Sequence, residues 1–399
     1  MRVLFADKLP DRARTRLAAA GFEVRVDAAL SGSALTERLA EWDPEVLVVR
    51  STRVTAADAS AGRRLALVVR GGAGVNTIDI DACSARGIYV ANTPGKNAVA
   101  VAELAMGLIL ALDRHVPDGV ADLRDARWNK ARFSKASGLK GRVLGVLGIG
   151  AIGREVISRA QAFGMDVVGW SRSLTPNAAS SLGIRPMADP EEVARQSDVV
   201  SVHLALTPQT RGLIGSSVLD AMRPGALFIN TSRADVVDET ALLRALDHGG
   251  IRAGLDVFSG EPSAKEGAFD HPLARHPAVY GSHHIGASTM QAQEAVGDEV
   301  CRVIEVFRDG GEVSNGVNEV VRSAATHRLT VRHLDQVGVL AAVLDGLSRA
   351  GINVQEMGNV VFPGGAAVAR IEVSSAPEEA VLSSLRAAEH VLDVSVVAI

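Results

Sequence analysis

The chain has 399 residues and a formal charge of −4, with 42 basic against 46 acidic side chains. That length suits two to three domains, and the weakly acidic balance offers no basic footprint for nucleic acid. Its two cysteines, Cys83 and Cys301, are far apart and lack metal-ligand spacing, so no disulfide framework and no metal site are expected, in keeping with a reducing cytoplasm.

The N-terminus reads as a strand rather than a signal peptide. Strands are expected over 2–6, 24–26, 46–50, 65–70 and 88–91, with helices over 11–20, 33–42 and 78–86. This βα alternation predicts a doubly wound parallel sheet. Such sheets bind ligands beyond the C-terminal ends of their strands. Arg50-Ser51-Thr52-Arg53 and the glycine loop 72–76 would stand there. Arg50 and Arg53 offer guanidinium forks, and the loop around Gly74, Val75 and Asn76 offers backbone N–H groups to an anion.

Asn92-Thr93-Pro94-Gly95 punctuates the chain. A long helix is expected over 97–115. The apolar stretch 98–112 within it contains Glu103 and is too short to span a bilayer. A polar segment with Trp128, Asn129 and Lys130 follows. Residues 141–172 then read strand (143–147), glycine turn, helix (154–163), strand (165–170). Within Gly148-Ile149-Gly150-Ala151-Ile152-Gly153 the first glycine makes a tight turn and the second admits a pyrophosphate. The third lets helix pack on strand, and the helix N-terminus faces the phosphates. Both flanks fit a dinucleotide site. The usual acidic residue at the end of the second strand is missing; Ser171 and Arg172 stand there. Arg172 can hold the 2′-phosphate of NADP, or stack on adenine or face solvent with NAD bound, so both cofactors stay open.

Beyond Arg172 strands are expected over 199–204, 226–230, 254–258 and 278–282, and helices over 215–222, 240–247 and 291–308. A linker is expected over 315–326. Residues 327–399 read β-α-β-β-α-β, the ferredoxin-like order. Arg233, Glu261 and His284 each follow a strand of the nucleotide unit, so a parallel sheet brings them to the edge that carries the Gly148 loop. Their types suit hydride chemistry on a 2-oxo or 2-hydroxy acid. Arg binds the carboxylate, His exchanges the proton, and a carboxylate orients the His.

The segments GGAGVNTIDIDACSARGIYVANTPGKNAVAVAEL, GIGAIG, MRPGALFINTSRADVVDETALLRAL, AGLDVFSGEP and HHIGAST make the chain resemble the D-isomer-specific 2-hydroxyacid dehydrogenases over nearly its whole length. The resemblance implies Arg233 as the substrate-binding Arg, Glu261 as the partner acid and His284 as the acid–base group, with His283 a bystander. It implies that Ala73, Ala151, Ile152, Leu204, Thr231, Ser232, Asp256, Gly286 and Ala287 line the cofactor. It also implies that Trp128 and Lys130 reach a neighbouring subunit's substrate site, in a homodimer or homotetramer. The implied fold is bilobal α/β. A Rossmann-type domain (96–285) is inserted in a flavodoxin-like substrate domain (1–95, completed by 286–314), with the Asn97 helix as hinge. The last unit resembles an ACT regulatory domain, which implies a possible amino-acid effector at His333, Asp335 and Asn353. Asp335 replaces a usual Asn, Val337 a usual Pro and Ala234 a usual Gly. The activity so implied is oxidation of a D-2-hydroxy acid, with 3-phospho-D-glycerate favoured by Arg50, Arg53 and Lys130. A glyoxylate or hydroxypyruvate reductase and a NAD(H)-sensing corepressor are the alternatives.

Overall fold

The computed structural model describes every residue except 29, 249, 263–265 and 321–322. In chain order the first lobe contains β1 (Arg2–Phe5), α1 (Asp11–Ala19), β2 (Glu23–Val26), α2 (Ser33–Trp42), β3 (Val46–Val49), α3 (Ala56–Ala61), β4 (Leu67–Arg70), α4 (Ile80–Ser84) and β5 (Tyr89–Asn92). Its five strands are parallel in the order β2-β1-β3-β4-β5. That is the flavodoxin-like order. The fully buried run Val46–Val49 lies at its centre, covered on both faces as parallel strands require.

The crossing helix α5 (Ala98–Arg114) is followed by α6 (Val116–Arg124) and α7 (Lys130–Phe133). The second lobe then runs β6 (Val143–Leu147), α8 (Ala151–Ala162), β7 (Asp166–Trp170), α9 (Pro176–Ser181), β8 (Arg185–Pro186), α10 (Pro190–Gln196), β9 (Val199–Val202) and α11 (Ser216–Asp220). It closes with β10 (Ala226–Asn230), α12 (Glu239–Asp247), β11 (Ile251–Leu255), α13 (Pro272–Arg275) and β12 (Val279–Gly281). Its seven strands are ordered β12-β11-β10-β9-β6-β7-β8 and pair in parallel. This is the Rossmann order with a seventh strand, and its switch point lies between β6 and β9. Helix α5 is apolar nearly all round. Ala102, Ala105, Ile109 and Leu112 are wholly buried against the core under β6 and β10.

Helix α14 (Met290–Gly310) returns to the first lobe, where Val300, Cys301, Val303 and Ile304 join Val3, Phe5, Val46 and Val69 in one core. That packing adds a distant part of the chain to the core of the first lobe. The expected linker begins differently. Residues 315–318 run along the outer edge of β5, with a bridge between Ala91 and Gly316. Val317 N donates to Val90 O (2.8 Å), and Asn318 Oδ1 accepts from Val90 N (2.8 Å). An open sheet edge presents unpaired backbone groups, and this segment satisfies them. The compact unit therefore extends from Met1 to Asn318, and a second from Glu319 to Ile399. Part of the expected linker, 321–322, lies outside the described residues.

The second unit contains β13 (His327–Leu334), α15 (Val339–Arg349), β14 (Val354–Val361), β15 (Ala366–Val373), α16 (Glu379–Arg386) and β16 (Val391–Ala398). Its antiparallel sheet has the order β14-β15-β13-β16. Leu329, Val331, Ile371 and Val373 alternate into a core shared with Val343, Leu347, Leu382 and Leu385 of the helices. This is the ferredoxin-like arrangement.

Two further expectations are corrected. Helix α8 begins at Ala151, three residues before the expected start, so Gly153 lies within its first turn. Strand β11 ends at Leu255, because its ladder with β10 stops at the Asn230–Leu255 pair; Val257 and Phe258 are buried beyond it as loop. Among the described residues no helix is long and apolar enough to cross a membrane.

Candidate active site

The C-terminal edges of the two parallel sheets enclose a cavity of about 1880 Å³. The first lobe contributes Arg50, Arg70 and the loop 71–76, and the second contributes 203–206, 231–233, Asp256, Glu261 and 281–288. Arg233, Glu261 and His284, expected together from their strand ends, all line it.

His284 and Glu261 are in direct polar contact there: His284 Nδ1 lies 2.6 Å from Glu261 Oε2. Glu261 Oε1 accepts the Phe258 backbone N–H at 2.9 Å. Burial opposes ionisation of Glu261, but the His284 contact, the Phe258 amide and the Arg233 charge outweigh it and hold its pKa below the usual value. The pair fixes one ring nitrogen, leaving Nε2 as the one available to a substrate. His284 has φ of 52°, in the left-handed region. His283 also lines the cavity, and no hydrogen bond is recorded for its ring among the described residues.

Arg233 is largely shielded from water. Burial lowers its pKa, and the Glu261 charge acts in the opposite direction. Its Nη1 donates to Ser232 O (2.6 Å), and its guanidinium lies against Gly74, where a Cβ would come within 2.6 Å of Nη2. A side chain at position 74 would displace the Arg233 guanidinium, so this loop serves Arg233 by being bare. Arg70, which periodicity reads only as the end of a strand, also lines the cavity. Its Nε donates to Arg50 O at 3.1 Å. Burial, then the neighbouring charges of Arg233 and Arg50, push its pKa down to about 10. The signal that could have found it is its position directly after the apolar run of β4, equivalent to Arg50 after β3. Asp7 accepts the backbone N–H groups of Arg50, Ser51 and Thr52 at 2.6–3.0 Å. Burial opposes ionisation of Asp7, and these bonds lower its pKa overall. The amides of that loop are thus taken; Arg50 and Ser51 line the cleft, and the Ser51 hydroxyl is itself spent on Asp7 Oδ1 (2.9 Å).

The dinucleotide fingerprint fits the geometry it needs. Gly148 has φ of 99°, and a Cβ there would lie 2.6 Å from the His203 carbonyl oxygen. A Cβ on Gly153 would overlap the Gly148 carbonyl oxygen, the close helix–strand approach expected of the third glycine. Gly150 meets nothing within 4 Å and supplies no side-chain cap to α8, so the helix N–H groups face open space. Thr231 Oγ1 is buried without a partner among the described residues. Ala73, Ile152, Leu204, Thr231, Ser232, Asp256, Gly286 and Ala287 line the cavity. Gly148, Gly150, Ala151 and Gly153 are not in the lining; they follow β6 beside Ile152, which is, and Gly148 N donates to Trp170 O (2.9 Å), which brings Ser171 and Arg172 beside the loop. Arg172 is exposed.

Some expected residues lie elsewhere. Arg53 is exposed and absent from the lining, since Val54 turns inward to bridge Ile78. Trp128, 82% exposed, and Lys130 line a separate hollow of about 290 Å³ with His115 and Phe133. In the second unit the expected effector trio is not one site within a single chain. His333 is buried, with Nδ1 2.8 Å from Leu334 O and Nε2 3.2 Å from Asn359 Oδ1. Asp335 pairs with Gly365 before β15, whereas Asn353 pairs with Ser374 after it. The strand between them spans roughly 25 Å.

Residues 106–286 match the D-isomer specific 2-hydroxyacid dehydrogenase, NAD binding domain family. The chain is 38% identical over 320 residues to D-3-phosphoglycerate dehydrogenase of Methanocaldococcus jannaschii, covering 80% of this chain but 59% of that protein's length. The TT0316 protein of Thermus thermophilus superposes with a TM-score of 0.71 at 34% identity, covering 79% of this chain and 100% of that one. The NAD+-bound 3-phosphoglycerate dehydrogenase of Entamoeba histolytica gives 0.67 at 26% identity, covering 80% and 99%.

Proposed function

The chain belongs to the D-isomer-specific 2-hydroxyacid dehydrogenase family, and we propose that it oxidises 3-phospho-D-glycerate to 3-phosphohydroxypyruvate, the entry to L-serine synthesis. The observation that carries the substrate is the set of three arginines, Arg50, Arg70 and Arg233, beside the His284–Glu261 pair. One guanidinium suffices for a carboxylate. Two more, near enough that the charges of Arg233 and Arg50 add to burial in lowering the pKa of Arg70, suit a second and more highly charged anion such as a phosphate.

Arg233 binds the substrate carboxylate and the C2 oxygen. His284 Nε2 takes the C2 hydroxyl proton in oxidation and returns it in reduction. Glu261 orients the ring and stabilises the imidazolium. Bound NAD(P)+ supplies the hydride acceptor. Arg50 and Arg70 hold the phosphate, and Lys130 with Trp128 reaches the substrate site of a neighbouring subunit in a homodimer or homotetramer. The family match supports NAD(H). Exposed Arg172, next to Ser171 and with no carboxylate at that strand end, supports NADP(H) as well. The protein acts in the cytoplasm. An amino acid acts on the C-terminal unit through Asp335 and Asn353 of different copies.

The test is turnover of 3-phosphoglycerate with NAD+ and with NADP+, beside reduction of glyoxylate and hydroxypyruvate. A kcat/KM for the phosphorylated pair well above that for the others is expected. Preference for glyoxylate or hydroxypyruvate makes it a reductase of those acids, and NADH binding with no turnover makes it a cofactor-sensing protein.

A further inference from the structure

We propose that Glu239 is a positioning residue for the reaction: with His271 it clasps Ser259, and through that turn it aims the Glu261 carboxylate at His284. The inference rests on the roles of Glu261 and His284 given above.

β11 ends at Leu255, so Glu261 stands beyond the sheet on a loop that no ladder holds. Ser259, Gly260 and Glu261 are all exposed. An exposed turn with few partners opens readily, and an acid on it is poorly aimed. Glu239 supplies the missing hold. It is the first residue of α12, and its carboxylate grips one residue of the turn with both oxygens. Oε1 accepts from Ser259 N at 2.9 Å, and Oε2 accepts from Ser259 Oγ. The helix does not need this carboxylate, because Asp238 is its cap and accepts the amides of Thr240 and Ala241.

His271 closes the clasp. Its Nε2 lies 3.2 Å from Ser259 Oγ and 3.3 Å from Glu239 Oε2. The hydroxyl proton is given to Glu239, so the ring meets both oxygens favourably only as an Nε2–H donor. The imidazole is stacked on Phe269, with centroids 5.4 Å apart, and meets Phe258 edge-on at 5.6 Å. Phe258 begins the same turn, and its backbone N–H donates to Glu261 Oε1 at 2.9 Å. The turn is therefore held at Phe258 and at Ser259, on the side opposite His284. The trio is not a hydrolytic triad. In a triad the acid meets the far nitrogen of the ring, whereas here it holds the serine proton itself. Neither Glu239 nor His271 lines the cleft, so their influence on turnover passes through Glu261.

The experiment uses the full chain with NADH and 3-phosphohydroxypyruvate, or with hydroxypyruvate or glyoxylate if wild type reduces one of those faster. E239A, S259A, S259T, H271A and H271Q are each made in the wild-type and the E261Q backgrounds. kcat, KM for the 2-oxo acid and NADH Kd by fluorescence are read. A group that acts through Glu261 has nothing to act on once that carboxylate is gone. E239A should lower kcat roughly 10-fold in the wild-type background but less than about 2-fold in E261Q, as coupled sites do. NADH Kd should move less than about 3-fold. S259A and H271A should follow the same pattern at roughly 5-fold. S259T restores the hydroxyl and H271Q keeps an N–H donor, so both should stay within about 2-fold of wild type. Equal losses in the two backgrounds, or an unchanged kcat in E239A, would overturn the proposal and leave Glu239 a support of the fold alone. If E239A does not fold, S259A in the two backgrounds decides by the same criterion. E261Q as active as wild type overturns the proposal together with the role of Glu261, a failure that the single substitution identifies.

Discussion

His284→Ala should lower kcat by roughly 100-fold or more, the range for loss of a general acid–base group, with NADH affinity little changed. His283→Ala should do far less, since only His284 is joined to Glu261. Equal losses in steady-state assays would reverse the assignment. Glu261 has its pKa held below the usual value, so its charge and the order it gives His284 are present above about pH 4.5 and are lost as pH falls through the lowered value. Glu261→Gln should therefore impair turnover at neutral pH, and the gap from wild type should narrow on acidification. Arg70 gives the opposite kind of case. A buried guanidinium whose pKa is pushed down to about 10 is still charged at pH 7 but at a cost to the fold. Arg70→Met should melt no lower than wild type in plain buffer. It should raise KM for 3-phosphohydroxypyruvate by about 10-fold or more, the scale of a lost charged contact, with less effect on an unphosphorylated 2-oxo acid. Uniform loss on both substrates would move Arg70 from the phosphate to the carboxylate or to folding. Arg172→Ala should weaken NADPH more than NADH in parallel titrations if it meets the 2′-phosphate.

At the scale of elements, the sequence was most readable where one physical signal dominates. β6, β10 and α2 fall on the expected residues because β-branched runs or a clean helical period are bounded by turn residues. The short polar helices α3, α7, α9 and α10 were not expected. Each is held by a side-chain cap, from Thr55, Asn129, Thr175 and Asp189, rather than by an apolar stripe, so periodicity has little to detect. Arg233, Glu261 and His284 were legible because topology alone delivers strand ends to one edge. Arg70 and the grip of Glu239 on Ser259 were not, because they depend on side-chain packing. The same limit hid the role of α14. Glu299 on that helix is buried and accepts from Arg302 at 2.7 Å, Asn315 at 2.8 Å and Lys96 at 3.2 Å. It thereby ties the substrate lobe to the interlobe crossing and to the segment edging β5. The Arg302 bonds, resisted by burial and joined by Asn315 and Lys96, bring its pKa down to about 2. A depressed carboxylate contributes stability above its unfolded value that is lost as pH falls through the folded one. Glu299→Gln should cost about 2 kcal/mol at pH 7. Denaturant melts should show that difference shrinking between about pH 4.5 and pH 2.

For the whole molecule, the division at Asn318–Glu319 separates a unit of two parallel-sheet lobes from a unit with its own sheet and core. The cut belongs after Asn318 because its side chain bonds Val90 N, Ile88 O and Ser84 Oγ, so an earlier end would strip the edge of β5. A chain ending there should fold, bind NADH and turn over substrate, with lower oligomeric order by sedimentation. The proposed action of an amino acid on the full chain is constrained by the geometry of the second unit. Asp335 and Asn353 lie at opposite ends of β15, so one copy cannot place both on one ligand. A ligand using both has to bridge two copies, its ammonium group on Asp335 of one and its polar groups near Asn353 of the other. Binding then favours the assembled state, and it changes turnover only if assembly favours one lobe arrangement. Titration of the full chain with serine and glycine should give heat and, in sedimentation, a shift toward the larger species together. Asp335→Ala should abolish both while leaving basal turnover unchanged. Heat without any change in assembly would place the ligand within one copy and remove Asn353 from its site. No heat with either amino acid leaves the unit a means of assembly alone.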